Sequence, residues 1–164
     1  MTVRAGGSGR ASIAGLVATR PDRPARLLYR MRVHRGRKGE PKALTEEDYI
    51  GLLDRAHQQL GGPIVLVWDN LSVHRSARMR ALIAARPWLT VFFLPTYAPE
   101  LNPVEPVWAH LKRTLVNLAR HSLNQLVGLL RTRLRRIQYR PILIAGFLAK
   151  TRLDLHPPTS NPSL

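Results

Sequence analysis

The chain has 164 residues, enough for a single hydrophobic core. It has no cysteine, which excludes disulfides and thiolate metal sites, and no apolar run approaches the ~20 residues of a membrane helix. Twenty-six basic residues against ten acidic ones give a net charge of +16, which points to a polyanionic partner, most simply nucleic acid.

Residues 1–10 are Gly-rich and polar, without the apolar stretch of a signal peptide, and are expected as a ragged end of a cytosolic, nucleoid-associated protein. "ASIAGLVATR" (11–20) and "ARLLYRMRV" (25–33) predict two strands, joined into a hairpin by "PDRP". "HRGRKGEPK" (34–42) is a basic loop. Thr45 then caps a helix with Asp48 three residues on, and Tyr49, Leu53, Ala56 and Leu60 recur at helical spacing until "GGP" ends it. "IVLVW" (64–68) is a continuous apolar run, expected as a strand buried on both faces, and it stops at Asp69. A short basic helix is expected over 74–87 and a second buried strand over 89–94.

The proline-rich "LPTYAPELNPVEPVW" (94–108) leads into a helix expected from Pro103 to Leu118, with Val104, Trp108, Leu111, Leu115 and Leu118 on its apolar face. A last helix (123–137) turns Leu123, Leu126, Leu130, Leu134 and Ile137 inward and Arg131, Arg133, Arg135 and Arg136 outward. The chain divides as 1–10, a domain over 11–153, and a tail over 154–164 expected to be disordered. Strands alternating with helices predict a mixed α/β sheet covered by helices.

Two carboxylates follow the strands. Asp69 comes straight after "IVLVW", where it either caps the next helix or binds a cation. Glu105 falls in the first turn of the helix after the second strand, where it either pairs with Asn102 in capping or joins Asp69 on one rim. Two carboxylates on one rim make a hard-oxygen site for Mg²⁺ or Mn²⁺.

"VWDNLSVH" followed by "LPTYAPELNPVEPVWAHLKR" resembles the DDE catalytic core of IS630-type transposases in the Tc1/mariner superfamily. Thirteen positions carry the resemblance: Asp69, Asn70, His74, Pro95, Tyr97, Pro99, Glu100, Leu101, Asn102, Pro103, Glu105, Trp108 and Lys112. It implies a ribonuclease-H-like fold, DNA cleavage and strand transfer, double-stranded DNA as partner, and two divalent ions held by three acids. Asp69 would be the second acid and Glu105 the third, with Glu100 left in the loop. Asn70, His74 and Asn102 become candidates to orient them, and His74 as a helix cap is the alternative. Arg75, Lys112 and Arg113 become candidate DNA contacts, with a solvated face as the alternative. Trp108 is expected to pack in the core and position the Glu105 helix.

The family's first acid and the central strand that carries it have no counterpart here. Asp22 lies in the hairpin turn and Glu40 in the basic loop, and neither suits the role. The chain is therefore expected to be inactive alone: its start lies too late in a longer gene, the missing part comes from an upstream-frame polypeptide, or it is a decayed, non-catalytic DNA-binding remnant. A homodimer is a further possibility.

Overall fold

A computed structural model describes residues 1–6, 9–21, 23–115 and 122–152. The tail assignment (154–164), Asp22 and Leu118 lie outside these residues. Three strands, β1 (Thr2–Arg4), β2 (Arg10–Arg20) and β3 (Arg23–His34), form an antiparallel sheet in that order. Helix α1 (Glu46–Leu60) leads to β4 (Ile64–Trp68). A 3-10 turn (Ser72–Arg75) and α2 (Ala77–Ala84) lead to β5 (Leu89–Phe93), which pairs with β4 in parallel. Helices α3 (Val104–Arg113), α4 (Leu123–Gln138) and α5 (Pro141–Ala149) follow.

Period-two alternation on β2 and β3 builds two cores on opposite faces of one sheet. Ile13 and Leu27 face Val107 and Leu111 of α3, Leu126, Leu130 and Leu134 of α4, and Ile144 and Phe147 of α5. Ala14, Ala18 and Leu28 face Ile50, Leu53 and Ala56 of α1, together with Ile64, Leu66, Trp68 and Met79. Each fully buried Leu or Ile contributes ~1.5–3 kcal/mol, so α3–α5 and α1 are fixed independently to the two faces.

Helix α1 begins where Asp48 turns back to accept the Thr45 backbone N–H at 3.0 Å. It ends at Gly61, whose φ of 67° is the left-handed conformation that lets its N–H reach His57 O.

The structure changes four expectations. Residues 2–4 are not ragged: Thr2 pairs with Ser12 and Arg4 with Arg10, and this edge pairing orders them. β4 and β5 are not buried on both faces: Val65 is 69% exposed, Val67 46% and Phe92 57%, because no described element covers that side. α3 stops at Arg113 instead of Leu118, as Thr114 closes it by donating its hydroxyl to Leu111 O at 2.7 Å. The sequence pattern gave no sign of α5, which is apolar all round.

The two sheets do not join. β1 and Met1 pair with β2 only as far as Ile13, through Met1–Ile13 bonds of 2.8 and 2.9 Å. Beyond that point a groove of about 560 Å³ lies between Leu16–Arg20 of β2 and Ile64–Val67 of β4. It continues, along the same edge of β2, the line that β1 occupies.

Candidate active site

The site forms where β4 ends. Asp69 follows Trp68 directly, and its carboxylate is half-buried. His74 Nδ1 lies 2.9 Å from Asp69 Oδ1, so its N–H donates to the carboxylate and fixes the ring tautomer. The Leu71 N–H adds a longer contact of 3.4 Å. The bond from His74 holds Asp69 below the usual carboxylate range; burial opposes it, while Leu71 and the Met1 ammonium assist.

Neither residue of this pair caps α2. Helix α2 is capped by Ser76, whose Oγ accepts Met79 N–H at 3.0 Å. His74 is buried, stacks on Trp68 at 3.9 Å and meets Tyr49 edge-on at 4.6 Å. Its Nε2 and the Trp68 Nε1 are shielded from water and unpartnered.

Asn70 and Arg75 tie the two strand ends together. Asn70 Nδ2 donates to Leu94 O at 2.6 Å, joining the end of β4 to the end of β5. Arg75 Nη1 donates to Asn70 Oδ1 at 3.0 Å, and its guanidinium carbon lies 5.4 Å from the Phe93 ring centroid. This keeps an exposed cation at the rim.

Glu105 arrives from the other side. Asn102 Oδ1 accepts Val104 N–H at 3.1 Å and Asn102 O accepts Glu105 N–H at 3.0 Å, which starts α3. The Glu105 carboxylate makes no reciprocal capping bond and is exposed. Trp108 is buried and presses on Gly15 of β2, so the first turn of α3 is pinned to the sheet.

Asp69, His74, Asn102 and Glu105 border one cavity of about 310 Å³, together with Tyr49 and Trp108. The Met1 ammonium also sits there. Burial lowers its pKa; Glu105 and Asp69 raise it and Lys112 lowers it, so all three charges act at one place. Arg113 instead acts on His110, around the helix from Lys112. Glu100 lies in the exposed Pro99–Leu101 turn and does not border the cavity.

Among the described residues no three His, Asp or Glu side chains gather as a metal site. The donors present fit one hard divalent ion, which is commonly held by one or two carboxylates with water and substrate phosphate. A two-ion site needs a further oxygen donor.

Sequence reasoning missed the contribution of Gly15. An isolated glycine inside a strand pattern was the available signal, since it marks close approach of another group.

The match to the family model "DDE superfamily endonuclease" covers residues 38–126, more than half of the chain, and includes Asp69 and Glu105. No curated protein matches. Among solved structures, the Mos1 transposase catalytic domain with raltegravir and Mn and the Mos1 mariner transposase catalytic domain each align at 14% identity with a TM-score of 0.50. Both alignments cover 89% of this chain, and 84% and 83% of those chains. The Mos1 strand transfer complex aligns with the same score over 55% of its chain. The chain belongs to the DDE superfamily endonuclease family and has the ribonuclease-H-like fold of the mariner transposase catalytic domain.

Proposed function

We propose that the chain is the carboxyl-terminal catalytic-core portion of an IS630-type DNA transposase, which cuts a phosphodiester and transfers the freed 3′ end to a new phosphate. One observation carries it: Asp69 and Glu105, both inside the segment matched to the DDE family, border a single cavity although 35 residues separate them. Asp69 and Glu105 would hold Mg²⁺ or Mn²⁺. A bound divalent ion supplies Lewis-acid activation of the attacking and leaving oxygens.

The protein's own groups prepare the site. His74 holds the Asp69 carboxylate ionised and oriented. Asn70 locks the two strand ends, and Arg75 and Lys112 present exposed cations where a DNA phosphate would pass. Arg113 serves a different stretch of backbone.

A central strand would complete both the sheet and the site. The unfilled groove between β2 and β4 is where it would pair. A polypeptide from an upstream frame that supplied this strand would also bring the first acid. Alone, the chain is inactive.

A second reading, a non-catalytic DNA-binding remnant, is favoured by the lack of a third acid near the first two among the described residues. Strand-cleavage assays on labelled duplex with Mg²⁺ or Mn²⁺ separate the two, with Asp69→Ala and Glu105→Ala as controls. The transposase reading expects no cutting by the chain alone, and cutting after co-expression with the upstream-frame polypeptide that either substitution abolishes. Salt-sensitive binding with no cutting under any complementation leaves the remnant.

A further inference from the structure

A second pocket opens on another face of α3. His110 of α3 and Thr114 just past its end, Arg133 and Arg136 of α4, and Arg140 at the α4–α5 junction line about 300 Å³ beside Ile137. Glu105 and Lys112 are seven residues apart and share a helix face. His110 is five residues from Glu105, which turns it ~140° around the axis. The pocket is therefore separate from the Asp69–Glu105 cavity.

Its charge is uncompensated. No carboxylate lines it. Arg30, Arg32, Arg78 and Arg86 each meet an acid, whereas Arg133, Arg136 and Arg140 form no ion pair among the described residues. Arg133 Nε is shielded from water and has no hydrogen-bond partner. The ends of α3 and α4 favour nearby cations through their dipoles. Among the described residues no hydrogen bond joins these three guanidinium groups to the helix carbonyls. Burial lowers the His110 pKa, and Arg113 and Arg140 lower it further, as expected in a cation-rich cleft. Arg131 and Arg135 match the ordinary picture of a solvated arginine face; Arg133, with its enclosed Nε, does not.

We propose that this pocket binds a phosphate group, supplied by the backbone of the DNA duplex on which the chain acts. Guanidinium forks are suited to phosphate oxygens, three arginines line this one pocket, and no carboxylate lines it to compete. The identity of the duplex rests on the transposase reading; the phosphate chemistry does not.

Two titrations of the 164-residue chain test this. Inorganic phosphate is added while the His110 imidazole resonance is followed by NMR. A fluorescein-labelled duplex is then bound at several salt concentrations. The pocket variant is R136Q/R140Q, which changes exposed residues and keeps Arg133 in place. The control is R23Q/R26Q, which removes equal charge from exposed positions of β3.

The expected result is a saturable His110 shift that R136Q/R140Q loses and the control keeps. Duplex binding should weaken about tenfold in the pocket variant, with the log–log salt slope shallower by about 1, and less than about threefold in the control. Phosphate saturation with equal duplex losses in both variants overturns the backbone assignment and leaves a free-phosphate site. No duplex binding by the unmodified chain overturns the DNA reading, while the phosphate titration still decides the pocket. Absence of a saturable His110 shift in the folded chain overturns the proposal.

Discussion

Trp108 lies against the bare Cα of Gly15: a Cβ at that position would stand 2.7 Å from Cζ2 and 2.8 Å from Cη2 of the indole. The contact joins β2 to α3, the helix that carries Glu105. Gly15→Ala should force the indole outward and cost about 1–3 kcal/mol, the usual price of overpacking. Gly128 in α4 and Gly146 in α5 have open space around the same atom, so alanine there should stabilise by ~0.5–1 kcal/mol. Urea unfolding of the three variants checks the contrast. Equal effects at all three positions would mean that the Trp108 contact is absent in solution.

Asp48 is 2% exposed and is held by Arg30 Nε at 2.8 Å and Arg32 Nε at 2.6 Å. Burial alone would raise its carboxyl pKa. The bond from Arg32, the Thr45 N–H and the bond from Arg30 outweigh burial and hold it far below the ordinary range. A carboxyl depressed on folding contributes stability above its unfolded pKa of ~3.9 and loses it as pH falls toward the folded value. Asp48→Asn should therefore cost about 2–3 kcal/mol at pH 7, given the strength of charged hydrogen bonds. The gap from the unmodified chain should narrow steadily below about pH 4. Denaturation at pH 7, 4 and 3 measures it, and a constant gap would refute the assignment.

Much of the site was legible because its signals are local. Asp69 with His74, and Asn102 with Glu105, lie within a few residues of each other, and strand ends place them. The exposure of one face of β4 was not legible: Val65 and Val67 look like core residues, and no described element covers them. Helix α5 carries "PILIAGFLA", which has no polar face and hence no helical period to read. The arginine pocket was hidden for the opposite reason. Arg133 and Arg136 sit at the spacing of a solvated face, and only the approach of α3 and the start of α5 encloses them.

Tyr97 occupies the left-handed region with φ of 61° and is 96% exposed, in the loop that connects β5 to α3. A non-glycine residue there costs roughly 1–2 kcal/mol, and asparagine tolerates the conformation better. Tyr97→Asn should raise stability by up to about 1 kcal/mol, because no packing is lost at an exposed position. A loss of stability in urea titration would show that the ring has a partner in solution.

Val65, Val67 and Phe92 leave an apolar strip on the outer side of the β4–β5 pair. Strips of this kind promote association, the more so beside unpaired strand edges such as the groove edge of β4. The chain alone should bind a hydrophobic dye and self-associate as its concentration rises. Val65→Thr with Val67→Thr should reduce both and change folding stability by no more than about 0.5 kcal/mol, as expected of surface positions. Threonine keeps the β-branched shape that the strand favours. A loss above about 2 kcal/mol would be of core magnitude and would show the strip to be packed in solution. Dye fluorescence and light scattering of the double variant beside the unmodified chain distinguish the two.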